Sequence, residues 1–168
     1  MGESGTSPPT KHRTLQAARG KTRSFASPEQ EAVLNLLRTG DRFQIQLVRL
    51  LRAFGVTPSQ YHVLVILHGE GRPLPCLEVA GRMTSAVPAI TALIDRLEKA
   101  QLIVRQRSAE DRRVVYVAIT AKAPQLLAKV DRPLLDLHRR LLGHLTPAEL
   151  KELNRLLAKA RQSVQEEE

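Results

Sequence analysis

One short pattern occurs three times in the chain and does more than any other to limit its fold. Ser27-Pro28-Glu29-Gln30, Thr57-Pro58-Ser59-Gln60 and Thr146-Pro147-Ala148-Glu149 each place a hydroxyl residue before a proline, with Gln or Glu three positions after the hydroxyl. The hydroxyl oxygen can accept one of the orphan N–H groups of a first helical turn, and the Gln or Glu can reach back to the cap's own N–H. Proline at the first helical position supplies a preset φ and wastes no donor. Three helix starts are therefore expected, and the other elements must fit between them.

The first helix is expected from Pro28 to Phe54. Val33, Leu36, Leu37, Phe43, Leu47, Leu50, Leu51 and Phe54 recur at spacings of three and four, with Gly40 interrupting the stripe. Its length exceeds the usual ~11–12 residues and suits a helix that spans a dimer. Tyr61 to Leu67 is rich in β-branched residues and fits a buried strand or a helix. The upstream cap favours a helix ending at Gly69. A short helix follows from Cys76 to Arg82, with Leu77, Ala80 and Met83 on one side. Thr84 and Ser85 break it and cap a helix from Ala86 to Ala100 whose Val87, Ile90, Leu93, Ile94 and Leu97 face inward. Pro88 is tolerated there because it lies in the first turn.

Leu102–Arg107 and Val114–Ile119 read as two strands of a hairpin, joined through the charged turn Ser108-Ala109-Glu110-Asp111 with Arg112 and Arg113. From Thr120 a helical pattern returns, carried by Leu126, Leu127, Val130, Leu134, Leu137, Leu141 and Leu145. Pro124 and Pro133 predict a late start and a kink. The last helix is expected from Pro147 to Val164, with Leu150, Leu153, Leu156, Leu157 and Ala160 on its apolar side. The fold class is mainly α with a small β-hairpin: a winged helix-turn-helix domain plus a helical dimerisation module. The expected boundaries are a disordered basic arm over 1–26, an N-terminal dimerisation helix over 27–56, the winged domain over 57–120 and C-terminal dimerisation helices over 121–168.

Charge narrows the partner. The chain of 168 residues carries a formal net charge of +9. In residues 1–26, Lys11, Arg13, Arg19, Lys21 and Arg23 face Glu3 alone, which gives that segment +4 of the total. A field of this sign attracts polyanions. Nucleic acid is the first candidate, an anionic membrane surface the second, and a solvated basic surface the plain alternative. Apolar runs fall short of a membrane span, and the start has no apolar signal core, although its basic character leaves an amphipathic transit peptide open. The single Cys76 excludes an internal disulfide and fits a reducing compartment, which points to the cytoplasm.

Chemistry is sparse. Gly69-Glu70-Gly71 is too short for a phosphate loop and has no accompanying lysine. His62 and His68 lie six residues apart, as do His138 and His144, so neither pair shares a helix face as i, i+4 ligands would. No metal site, no cofactor and no enzyme activity are expected. The middle of the chain instead has the order of a helix-turn-helix, in which a short helix braces a second one that presents side chains to base edges in the major groove.

At this point a resemblance becomes specific. Glu110-Asp111-Arg112-Arg113 followed by Val115, Val117, Ile119 and Thr120 resembles the MarR-family signature of an acid, any residue, an arginine and an apolar strand ending in Leu-Thr. Thr57-Pro58-Ser59-Gln60-Tyr61, Leu77-Glu78-Val79-Ala80 and Ile90 through Glu98 match the family pattern in register. So does Leu145-Thr146-Pro147-Ala148-Glu149-Leu150 downstream. The similarity extends over roughly residues 28–164.

The resemblance implies a homodimer on double-stranded DNA. By the same resemblance the chain is expected to be a transcriptional regulator, and a repressor, that reads a pseudo-palindromic operator and is released by a small-molecule effector. That ligand would sit between the DNA-binding lobe and the dimer helices. Dimer contacts are expected from Val33, Leu36, Leu37, Leu141, Leu145, Leu150, Leu153 and Leu157. DNA contacts are expected from Ser85, Val87, Pro88, Ala89, Thr91 and Ala92 on the recognition helix, with Thr91 reaching a base or a phosphate. Relatives often carry a basic residue where Ala92 stands, so guanine readout from that position is lost.

Arg96 either meets phosphate or pairs with Asp95 or another acid. Arg113 corresponds to the arginine that enters the minor groove and Asp111 to the acid that orients it; alternatively the two only pin the turn. Arg112 is the natural phosphate partner, and Arg105 and Arg107 add charge at the hairpin base. Peroxide-sensing relatives place their thiol near the N-terminal helix, unlike Cys76, which is expected to pack beside Leu77. The competing reading is an architectural protein that binds DNA through charge with little sequence preference.

Overall fold

A computed structural model of the chain describes residues 25–83, 90–108 and 114–165. The chain divides into two compact units, one through Arg42 and one from Phe43 onward. The first helix, α1, runs Pro28–Arg52 and so crosses that division. The second unit holds the rest of the fold: α2 Pro58–Glu70, β1 Leu74–Pro75, α3 Cys76–Gly81, α4 Ile90–Lys99, β2 Ile103–Arg107, β3 Val115–Ile119, α5 Lys122–Leu142 and α6 Pro147–Gln165.

The three caps form as physical chemistry requires. At Thr57 the Gln60 N–H donates to Oγ1 at 3.3 Å and the Thr57 N–H donates to Gln60 Oε1 at 2.8 Å, a reciprocal capping box. Thr146 and Glu149 repeat it with the same two distances. At Ser27 the Gln30 N–H reaches Ser27 Oγ at 3.3 Å, but Gln30 Oε1 takes the Ala26 N–H one residue earlier. The upstream cap thus correctly decides the ambiguous Tyr61–Leu67 segment in favour of helix, and Val63, Leu64 and Leu67 are buried along it. Gly71, at φ +65°, ends α2 in the left-handed conformation, its N–H donating to the Leu67 carbonyl at 3.3 Å.

β2 and β3 pair as the expected hairpin, and a short β1 adds to its β3 edge, giving a three-stranded antiparallel sheet of order β1-β3-β2. Leu74 pairs with Val117, and Arg105 pairs with the same residue from the other side. β1 is two residues long and contains Pro75, which has no N–H to give to a ladder and is tolerated only at an edge. Such a segment leaves no alternating pattern in the sequence.

Leu51, Leu64, Leu67, Leu74, Val79, Ile94, Leu97, Ile103, Val117 and Val130 form the centre of the core, each almost wholly excluded from solvent. Burying a side chain of this kind contributes roughly 1.5–3 kcal/mol. Ala123, Leu127 and Val130 of α5 belong to the same core, so the first half of that helix packs within the winged domain. α5 starts at Lys122 with Pro124 in its first turn and continues helical through Pro133. Among the described residues no helix is long and apolar enough to cross a membrane.

One expectation about burial is corrected. On α3 the inward side is Cys76 and Val79, continued by Met83 just after the helix, whereas Leu77 is 83% exposed. Cys76 therefore packs against the core and not beside a buried Leu77. Leu47, Leu50 and Leu51 of α1, with Phe54 just beyond it, join the core, while Val33, Leu36 and Leu37 are exposed by half or more.

Candidate nucleic-acid interface

The described part of α4 has one apolar face, with Leu93, Ile94 and Leu97 buried. That face anchors the helix to the core and leaves Thr91, Ala92, Arg96 and Lys99 exposed. Ala92, Arg96 and Lys99 follow one another at helical spacing along a single stripe. Thr91, Asp95 and Glu98 make the adjacent stripe. The expected contact residues Ser85, Val87, Pro88 and Ala89 lie outside the described residues, as do Asp111, Arg112 and Arg113.

Arg105 is placed differently from the simple expectation of a cation at the hairpin base. Its Nη2 pairs with Asp95 Oδ1 and reaches the Thr91 carbonyl at 3.3 Å, and its Nη1 reaches Glu98 Oε2 at 3.2 Å. Its main-chain N–H also donates to Glu98 Oε1 at 3.3 Å. The hydrogen bond that Arg105 donates to Asp95 is the largest of several effects that raise the Arg105 pKa and keep the guanidinium charged. Asp95 is thus taken by Arg105, not by its neighbour Arg96, which as an i+1 residue points elsewhere on the helix.

A second ionic cluster braces the two helices in front of α4. Arg82, just after α3, binds Glu70 at the end of α2 and Glu78 within α3, the latter at 2.7 Å. Arg72 approaches the same two acids at 3.4 and 3.7 Å.

An open cavity of about 770 Å³ lies against this surface, lined by Cys76, Leu77, Thr91, Arg105, Arg107 and Tyr116 among others. Burial pushes the Cys76 thiol up, with the nearby Arg105 charge working in the opposite sense. A thiol shifted that way is a poor nucleophile at neutral pH. Among the described residues no group of His, Cys, Asp and Glu is arranged to hold a metal ion.

Comparison with known proteins fits this geometry. The family model described as "MarR family" matches residues 56–115, which run from the start of α2 into β3. The HTH-type transcriptional repressor MdtR of Bacillus subtilis (strain 168) is 30% identical over 135 residues, covering 80% of this chain and 86% of that protein.

The chain belongs to the MarR family.

Solved structures agree. A MarR transcription factor from Planctomyces limnophilus is 39% identical with a TM-score of 0.64, covering 80% of this chain and 98% of its own. A cysteine-to-serine mutant of MarR from E. coli, crystallised with operator DNA, shares the fold at 23% identity and a TM-score of 0.71, over 82% of this chain and 99% of its own. Membership in this MarR family makes the chain a winged helix-turn-helix transcriptional regulator, not an enzyme.

Proposed function

We propose that two copies of this chain bind a pseudo-palindromic operator as a homodimer and repress transcription until a small molecule releases them. The observation that carries this reading is the outer face of α4. Thr91, Ala92, Arg96 and Lys99 are exposed on a helix whose other side is locked into the core. A helix held this way suits the major groove, with the β2–β3 wing following the backbone. MdtR is named a repressor, which supports the direction of regulation. The cytoplasm is the compartment expected for this role.

Dimerisation is supported by apolar surface that a single chain leaves in water. Val33, Leu36 and Leu37 are 55%, 51% and 60% exposed, and Leu135 and Leu156 nearly half. Leu141, Leu145, Leu150, Leu153 and Leu157 are half-buried along α5, its exit and α6. A second copy covering these helices accounts for the expected contact set. The effector site that fits best is a cavity of about 340 Å³ between the second half of α1 and α2, lined by Gln44, Leu47, Tyr61, His62, Val65 and Met83. Its volume and mixed lining suit a small, mostly apolar molecule with one polar end.

The architectural reading rests on the +9 charge and on Ala92, which offers no hydrogen bond to a base. Selection of bound fragments from a genomic library separates the two. A shared motif with half-sites about one helical turn apart supports the operator reading; fragments with no common sequence overturn it.

A further inference from the structure

We infer that Arg105 is a positioning residue that locks the wing to the recognition helix, and that it is not a phosphate contact; this rests on the nucleic-acid reading above. Thr91, Asp95 and Glu98 stand at i, i+4 and i+7, so they form one stripe two turns long on α4. Arg105 on β2 reaches all three with its two terminal nitrogens, and Glu98 also accepts the Arg105 main-chain N–H. A planar fork with fixed donors suits such a multi-point grip, which a flexible ammonium cannot copy. One strand residue therefore holds the helix at two successive turns.

The charge balance argues against a phosphate role. Two carboxylates surround one guanidinium, so the cluster presents an excess of negative charge to an incoming phosphate. The Arg105 side chain is only 28% exposed, while Asp95 and Glu98 are 46% and 41% exposed on the solvent side. Across the sheet Arg105 sits opposite Val117, which is fully buried, so its backbone is fixed from behind. Among the described residues, Arg96, Lys99 and Arg107 are exposed cations near this cluster. The clamp sets the angle between α4, which reads bases, and the β2–β3 wing.

The test uses the full chain with its selected duplex and the variants Arg105→Ala, Asp95→Ala, Glu98→Ala and Arg105→Ala/Asp95→Ala. Affinity is measured as a function of salt, and hydrogen exchange of the β2–β3 amides is followed in the free protein. A positioning role predicts that each single variant weakens binding roughly fivefold to thirtyfold, including the two that remove negative charge. The double variant is then no worse than Arg105→Ala alone, the salt slope matches wild type, and exchange in the hairpin quickens. Partly exposed pairs of this kind contribute little to stability, so all variants remain folded. A salt slope reduced by about one in Arg105→Ala, with Asp95→Ala binding as tightly as wild type or tighter, overturns the inference. Should wild type itself ignore duplex, the nucleic-acid reading fails, and exchange alone decides the clamp: faster hairpin exchange in the variants supports it and unchanged exchange overturns it.

Discussion

The Thr120 hydroxyl donates a 2.8 Å hydrogen bond to the carbonyl of Gln101, tying the end of β3 to the turn that follows α4. The Thr120 N–H donates in turn to the Leu102 carbonyl at 3.0 Å, and Thr120 Oγ1 accepts the Lys122 N–H at 3.3 Å. One threonine thus joins the exit of the recognition helix, the sheet and the start of α5. The turn it holds is strained, because Gln101 is the only non-glycine among the described residues with a left-handed backbone, at φ +58°.

That strain gives the first prediction. A left-handed conformation costs an L-residue roughly 1–2 kcal/mol, while glycine adds about 0.5–1 kcal/mol of unfolded-state entropy. Gln101→Gly keeps the carbonyl that Thr120 uses. It should raise the melting temperature by about 1–4 °C in thermal denaturation, and a lowered value would contradict the strain argument.

The brace around Glu70 predicts a pH effect. The hydrogen bond from Arg82 is the largest cause holding the Glu70 carboxyl below its ordinary value near 4.5. A carboxylate whose folded pKa is depressed stabilises the fold above its unfolded pKa, and the contribution disappears as pH falls through the folded value. Melting temperatures measured from pH 6 downward should therefore drop less steeply below about pH 4.5 in Glu70→Gln than in wild type. Parallel curves would show that Glu70 is not linked to folding.

Much of this architecture was legible beforehand, and the failures have physical causes. Capping boxes at Thr57 and Thr146 depend on residues three apart, so they could be read directly. The apolar faces of α4 and α5 extend over several turns and leave a clear period. α3 is only six residues long, and over so short a span Leu77-Ala80 and Cys76-Val79 are equally good helical faces, each of which Met83 just beyond the helix can extend. Arg105 reads as a free cation in sequence, because its partners Asp95 and Glu98 lie on another element and only the fold brings them within reach.

The apolar surface of α1 predicts the oligomer. Leu36→Glu places a charge where Val33, Leu36 and Leu37 now stand exposed. An interface built on them would bury that charge unpaired, at a cost of several kcal/mol. Sedimentation should show a dimer for wild type at micromolar concentration and a monomer for the variant. A variant that sediments as wild type removes this stripe from the interface.

The wing supplies a further mutation. Arg113→Ala should weaken binding to a selected operator by about 1–3 kcal/mol. Anisotropy titration at fixed salt measures it, and unchanged affinity strikes Arg113 from the contact set.

The most direct measurement is a competition between the chain's selected operator and random duplex of equal length, followed by fluorescence anisotropy at one salt concentration. The account predicts two subunits per operator and a preference above about 10³. Equal affinity for both duplexes, or one subunit bound per site, would contradict it.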